Sequence, residues 1–215
     1  MLNETYVKIL EVDLGTGKAR VTRREDLYAY LGGAGLATAL LREHVQPQAD
    51  ALAPEQPIVF AIGPLSTIYP AVTKAVAMFK SPLNGELGES HAGGRLALAM
   101  RYAGYDALVI RGRAPRPVYL YVDSNNVQLK RADTLWGMDA EEAGRVMRDI
   151  EPGRGHRSIM RIGPAGERLV RYALVNCETY RHFGRLGLGA VFGSKLLKGI
   201  YISGDTDIRI PDVKT

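Results

Sequence analysis

The chain has 215 residues, 46% hydrophobic and 24% charged, which is typical of a folded protein and excludes an intrinsically disordered one. It contains no apolar run of about 18 residues, and its N-terminus lacks the basic and apolar segments of a signal peptide, so we expect a cytoplasmic protein with no membrane partner. The lone cysteine, Cys177, excludes an internal disulfide and an all-cysteine metal cluster held by this chain alone, and we predict it to be a core residue.

The net charge of +5 at pH 7 raises the question of nucleic-acid binding. The basic residues are scattered, with their densest groups at 20–25 and 111–116, and aromatic residues do not alternate with them. We therefore attribute the charge to a solvated surface or to attraction for a phosphate-bearing ligand, and we expect no nucleic-acid partner.

The first 113 residues predict a hairpin followed by helices and strands. Helical spacing at 25–31 and 36–44 is interrupted by glycines, and 80–94 is predicted to be a polar glycine-rich loop followed by a helix at 95–102. Strands are predicted at 6–14, 18–22, 57–63, 71–79 and 106–111.

A similar order begins again after Arg113, with strands at 118–123 and 127–131, a helix at 139–149 and a strand at 170–177. Ile162-Gly163-Pro164 repeats Ile62-Gly63-Pro64, and HFGRLGLGAV from His182 repeats HAGGRLALAM from His91. Chance similarity of generic strand-loop-helix patterns is the alternative to a duplication.

We infer a duplicated α+β fold with two similar mixed β-sheets and short helices, related by a pseudo-twofold repeat. The whole chain, 1–215, is predicted to be one domain with repeat halves of roughly 1–113 and 114–215.

The stretch from Tyr180 to Gly204 combines glycines with Arg181 and Arg185 ahead of a predicted short helix and a strand at 200–203. Glycines allow backbone N–H groups to approach a ligand closely, and a helix N-terminus favours an anion, so this stretch predicts a phosphate site. The glycine spacing does not fit a Rossmann motif, which disfavours NAD. The alternative is that the glycines only permit close helix packing.

The repeat places a second glycine-rich loop, at 90–95, in a position equivalent to 181–189. Two-fold packing of the halves would bring these loops together. Such a pair suits a ligand with two phosphate-bearing arms.

These segments resemble the N-terminal domain of the aldehyde ferredoxin oxidoreductases, the tungsten and molybdenum bis-pterin enzymes. The similarity covers nearly the whole chain, and its most specific segments are GGAGLATALL at 32–41, AIGPLS at 61–66, FKSPLNG at 79–85, LWGMD at 135–139, RIGPAGERLVRYA at 161–173 and GRLGLGAVFGSKLLKGI at 184–200.

The resemblance implies a base on which a tungstopterin or molybdopterin cofactor lies, with two pterins whose phosphates are bridged by magnesium. The family's cofactor contacts correspond to Lys74, His91, Gly93, Gly94, Arg181, His182, Gly184 and Arg185. Lys74 replaces the usual arginine, keeping the charge without the bidentate fork, and His91 replaces the usual asparagine with a bulkier, titratable ring.

The resemblance also implies partners, because the family's iron-sulfur cluster is held by cysteines that this chain does not supply. A cysteine-rich remainder of the enzyme or a separate catalytic subunit is expected, with ferredoxin as the indirect electron acceptor and a homo-oligomer as a further possibility. We assign no catalytic residue here and expect no activity from the chain alone, but we expect an exposed apolar surface for the partner. The alternative is a stand-alone binding module for the pterin or another phosphorylated ligand.

Overall fold

The computed structural model describes residues 4–151, 153 and 155–208. In the first half the elements are β1 Val7–Asp13, β2 Lys18–Arg24, a 3-10 turn Tyr28–Tyr30, α1 Gly33–His44, β3 Ile58–Ile62, β4 Ala75–Lys80, β5 Leu87–Ala92, α2 Leu96–Tyr102 and β6 Ala107–Arg111. In the second half they are β7 Val118–Val122, β8 Val127–Arg131, α3 Ala140–Ile150, β9 His156–Arg161, α4 Pro164–Glu167, β10 Val175–Cys177, β11 Arg181–Phe183, α5 Leu188–Ser194 and β12 Leu197–Gly204. Within these described ranges, no helix has the length and apolar character needed to cross a membrane.

The two sheets have the same strand order and the same strand directions. The first runs β2-β1-β6-β3-β4-β5, and the second, read from its other edge, runs β8-β7-β12-β9-β10-β11. In each sheet the first strand of the hairpin is parallel to the last strand of that half, and the other neighbouring pairs are antiparallel. The predicted pair of similar mixed sheets is therefore confirmed.

Strand register identifies equivalent residues in the two halves. His91 of β5 pairs with Val76, the second residue of β4, and His182 of β11 pairs with Asn176, the second residue of β10. Each histidine is followed by one more strand residue and then by glycine, so the two glycine-rich loops begin at the same place in each half.

Several predicted elements have different bounds in the structure. Residues 80–94 were expected to form a loop, but they contain β5, whose small or polar inward residues do not give an apolar alternation. The predicted strands at 71–79 and 170–177 are shorter, and the strand expected at 200–203 begins at Leu197, where a helix was predicted. β9, α4 and β11 were not predicted, and α1 includes Gly33 and Gly35 instead of stopping at them.

Both halves contribute to one hydrophobic core. The ring of Phe60 on β3 makes edge contacts with Phe183 of β11 and Phe192 of α5, at centroid distances of 5.5 and 6.2 Å. Helix α1 covers the other face of the first sheet, and helix α3 packs against β9 on the other face of the second. Burying Phe60 between elements of the opposite half stabilises the two halves as one body.

A buried ion pair anchors the loop that follows the third strand in each half. The Asp106 carboxylate accepts a hydrogen bond from Arg101 at 2.6 Å, and Arg101 also donates to the Gly63 carbonyl at 2.7 Å. In the second half, Lys198 forms an ion pair with Glu167 and donates to the Met138 carbonyl. Ile62 donates its N–H group to the Asp106 carbonyl, and Ile162 donates its own to the Lys198 carbonyl. Asp106 and Lys198 therefore occupy equivalent positions in the two halves but carry opposite charges.

Lys195 joins the two halves from inside the protein. Its fully buried ammonium donates to the carbonyl oxygens of Pro54 at 2.7 Å and Gly112 at 3.3 Å. Burial lowers the pKa of Lys195 to about 8, because the charged form loses its hydration.

We predict that Lys195 makes the stability of the protein rise with pH. Between about pH 8 and 10.5 the unfolded chain retains the lysine proton that the folded chain has released, so folding becomes more favourable as pH increases. The difference in unfolding free energy between wild type and Lys195→Met should therefore grow by roughly 2–3 kcal/mol over this range. Urea denaturation at a series of pH values measures it.

Lys18→Met, on the exposed strand β2, controls for the loss of a positive charge. A wild-type minus Lys195→Met difference that stays constant with pH would contradict the prediction.

Candidate functional site

The candidate site lies where the edge strands of the two sheets, β5 and β11, meet. The Ser90 hydroxyl on β5 donates a hydrogen bond to the carbonyl of Gly184, directly after β11, at 2.7 Å. A Cβ built on Gly94 would lie 3.4 Å from Cγ of Arg181. The structure therefore brings the two glycine-rich loops side by side, as the repeat predicts.

Gly93 and Gly184 leave open space at equivalent positions. A Cβ added to either residue would meet no other atom within 4 Å, whereas one added to Gly94 would contact the Glu178 side chain at 3.2 Å. Gly94 also has φ +98°, a conformation that favours glycine. Gly94 is thus required by the turn, while Gly93 and Gly184 allow a ligand to approach the backbone.

The cationic side chains around this space are exposed. Arg181, His182 and Arg185 lie on or just after β11, and Lys74 precedes β4 at the same end of the strand pair as Gly93. Leu174 occupies the equivalent position to Lys74 in the second half, so the two halves present different charges. The eight residues suggested by the resemblance lie on the neighbouring strands β5 and β11, in the loops that follow them and at one adjacent strand end.

His91 has a carboxylate neighbour on its own strand. Its Nε2 lies 2.7 Å from Oε1 of Glu89, and both side chains are exposed. A protonated His91 is therefore partly neutralised before any anion binds. At the position equivalent to Glu89, two residues before His182, the second half has Tyr180.

The backbone that carries Arg185 is held in an unusual conformation. Arg185, Leu186 and Gly187 all have positive φ, at 64°, 58° and 85°. This conformation costs about 1–2 kcal/mol for each residue with a side chain. A hydrogen bond from the Ser81 hydroxyl to the Leu186 carbonyl, at 2.7 Å, holds the turn, and such retained strain is frequent at ligand sites.

The later glycines of this stretch serve packing, not ligand binding. A Cβ on Gly187 would overlap the Arg171 carbonyl, and the Gly189 N–H donates to the Ala173 carbonyl at 2.9 Å. Gly193 packs against Gly166 of α4. The expectation that the N-terminus of α5 faces an anion is therefore wrong, because neighbouring backbone occupies that end of the helix.

Cys177 has the core role that the sequence predicts. Its side chain is fully buried, with Sγ 3.8 Å from the Ser158 hydroxyl, and burial raises the pKa of the thiol to about 12. A thiol that stays protonated at neutral pH is a poor nucleophile and a poor metal ligand.

Large apolar side chains are exposed near the site, and the sequence analysis assigned none of them a role. Tyr180, in the turn before β11, is 83% exposed, and Tyr172, in the loop before β10, is 72% exposed. The equivalent loop before β4 exposes Leu65 and Tyr69. The sequence signal for these exposed side chains was the presence of aromatic residues next to the predicted glycine-rich loops. Their exposure agrees with the apolar surface expected for a partner.

Sequence comparison places these features in a known family. The family described as Aldehyde ferredoxin oxidoreductase, N-terminal domain, matches residues 9–204. Over 208 residues the chain is 37% and 38% identical to proteins named Tungsten-containing aldehyde ferredoxin oxidoreductase from Pyrococcus horikoshii and Pyrococcus abyssi, covering 95% of this chain and 34% of each relative. It is 32% identical over 213 residues to Aliphatic sulfonate oxidoreductase, WOR-like subunit, from Pyrococcus furiosus, covering 92% of this chain and 34% of that protein. The chain thus spans about a third of the length of these relatives.

A solved structure has the same fold. It is described as Active site complex BamBC of Benzoyl Coenzyme A reductase in complex with 1,5 Dienoyl-CoA. The TM-score is 0.88, with 33% identity over 95% of this chain and 31% of that chain.

We predict that two glycine substitutions in the same stretch differ in how much they destabilise the fold. Gly187→Ala should lower the unfolding free energy by more than about 2 kcal/mol, because it combines positive φ with overlap of the Arg171 carbonyl. Gly184→Ala should change it by less than about 1 kcal/mol, since its Cβ meets no neighbour. Urea denaturation of both variants measures the contrast, and equal losses would contradict it.

Proposed function

Because the chain belongs to the aldehyde ferredoxin oxidoreductase family, we propose that it is the pterin-binding base of a tungsten or molybdenum oxidoreductase. The observation that supports this most strongly is the pairing of the two loops, each with an open glycine and a cation beside it. The names of the relatives support a tungstopterin or molybdopterin at the level of the family.

The residues present fit a cofactor with two phosphate-bearing arms. Lys74, His91, Gly93 and Gly94 would hold one arm, and Arg181, His182, Gly184 and Arg185 the other. Each set joins an exposed cationic or titratable side chain to a glycine whose missing Cβ leaves space at the backbone. Arginine offers a bidentate fork to phosphate, whereas Lys74 offers a point charge, so we propose that the second half binds its arm more tightly. A magnesium ion bridging the two phosphates would lower their mutual repulsion.

In this proposal the chain contributes position and electrostatics. When bound, the cofactor supplies the oxidation of an aldehyde with water to a carboxylic acid, releasing two protons and two electrons that leave through an iron-sulfur cluster to ferredoxin. Lys74, Arg181 and Arg185 would neutralise the phosphate charge, and the strained turn sets the direction in which the Arg185 side chain leaves the backbone. Acid-base groups and cluster ligands would come from regions outside this chain.

We propose that the exposed loops before β4 and β10, together with the turn before β11, contact those regions. The relatives are about three times as long as this chain, and aromatic side chains such as Tyr172 and Tyr180 suit an interface that also covers the cofactor.

The cofactor proposal predicts the effect of removing the arginines. In a complex of the chain with the remainder of the enzyme, Arg181→Gln with Arg185→Gln should lower bound tungsten or molybdenum and pterin by at least about tenfold, because two charge-assisted contacts are lost. Metal is measured by mass spectrometry and pterin by fluorescence after oxidation. Arg131→Gln, at an exposed arginine on β8, is the matched control.

Normal cofactor content in the double variant would contradict the assignment of these arginines. Cofactor retained by the isolated chain as well as by the complex would favour the stand-alone binding module instead.

Substitution of the exposed aromatics tests the interface. Tyr172→Ser with Tyr180→Ser should weaken assembly with the remainder of the enzyme by at least about tenfold, measured by analytical ultracentrifugation. The melting temperature of the isolated chain should stay unchanged, since these side chains are solvated there. Unaltered assembly would place the interface elsewhere.

A further inference from the structure

A separate cavity of about 160 Å³ lies beside helix α3, and none of the eight residues proposed to hold the cofactor lines it. The charged residues around it come from the start of α2, from α3, from β9 and from the turn after β10. They are Arg95, Glu141, Arg145, Arg148, Arg161 and Glu178.

The cavity has an excess of positive charge. Arg145 pairs with Glu141 at 2.5 Å and Arg95 pairs with Glu178 at 3.0 Å. Among the residues that the structure describes, Arg148 and Arg161 form no ion pair with a carboxylate. The four arginines that line this small cavity therefore outnumber its two carboxylates.

Arg161 is the more costly of these two charges, because only 6% of it is exposed. Its Nε donates to the Ala140 carbonyl at 2.7 Å, and its Nη1 donates to the carbonyls of Ile159 and Glu178. These carbonyls satisfy the N–H groups of Nε and Nη1 but leave the net charge, and Nη2 has no acceptor among the described residues. Burial lowers the pKa of Arg161 below its usual value, and the charge of Glu178 opposes this shift while that of Arg148 adds to it. A bound anion would offset this cost.

Glu178 supplies an acceptor that lacks a donor. It is only 8% exposed, and its Oε2 accepts two hydrogen bonds from Arg95. Its Oε1 is buried and has no hydrogen-bond partner among the described residues. An unpaired buried carboxylate oxygen is unfavourable, so a ligand with an O–H group would be preferred to one without.

The chain holds both groups in place through glycines. A Cβ on Gly144 would lie 2.7 Å from Nε of Arg161, and one on Gly94 would lie 3.2 Å from Cγ of Glu178. The fold itself does not require these charges, because Ala61 and Met78 stand at the equivalent positions in the first half and pack in an apolar cluster with α1. The first half therefore has no counterpart of the Arg161–Glu178 pair.

We propose that this cavity binds monohydrogen phosphate, with Arg148 and Arg161 contacting its charged oxygens and its hydroxyl donating to Glu178. Inorganic phosphate keeps at least one proton at neutral pH, whereas sulfate keeps none. A site with an unpaired carboxylate oxygen discriminates between these two anions, since sulfate places an acceptor against an acceptor. None of the residues that would contact this phosphate is among those proposed to hold the cofactor.

Titration calorimetry of the full chain with inorganic phosphate and with sulfate, at matched ionic strength and pH 7.5, tests the proposal. Phosphate should bind at least about tenfold more tightly than sulfate. Arg148→Gln should weaken phosphate binding by at least about tenfold, because one charge-assisted contact is lost. Glu178→Gln should bring the phosphate and sulfate affinities to within about threefold of each other, since an amide can donate to sulfate.

Arg131→Gln, at an exposed arginine of β8, is the control and should bind phosphate as wild type does, and Arg181→Gln tests whether phosphate binds at the cofactor loops instead. Arg148 is only half-buried, so Arg148→Gln is expected to fold. Equal affinity of the wild type for the two anions, or unchanged phosphate affinity in Arg148→Gln, would overturn the proposal. Loss of phosphate binding in Arg181→Gln would move the anion to the cofactor loops and overturn it as well. Tighter binding of a phosphate monoester than of inorganic phosphate would also overturn the proposal.

Discussion

The meeting of β5 and β11 is the constraint on which the rest of the structure depends. Each half ends its sheet in an exposed edge strand, and edge strands are prone to unwanted pairing. Here one edge covers the other, with the Ser90 hydroxyl bound to the Gly184 carbonyl and Phe60 packed between elements of the other half. Because the glycine-rich loops begin where these strands end, closing the edges also places the loops together.

Glycines of one short stretch have different physical roles. Gly184 leaves space at the surface, whereas Gly187, Gly189 and Gly193 allow close packing of α5 against backbone. The distinction rests on what a Cβ would meet, and spacing in the sequence does not reveal it. Ligand binding is therefore proposed for the open positions, and the packed ones account for the stability of the turn that carries Arg185.

The sequence predicted most of the architecture because the duplication left matching anchors, such as Ile62 and Ile162 or His91 and His182. The short strands β5 and β11 were missed since their inward residues are small, polar or few, and β-propensity is weak in such segments. The arginine cavity was also missed. Arg95, Arg161 and Glu178 are far apart in the chain, and only the packing of α2, α3 and β9 brings them together.

The central claim is that one ligand with two arms is shared by the two halves. A crystal structure of the chain with the remainder of the enzyme and the bound cofactor tests it most directly. The account predicts that one phosphate-bearing arm contacts residues 91–94 and the other contacts residues 181–185. Both arms lying on the loop of a single half, or a cofactor lying away from the junction of β5 and β11, would contradict it.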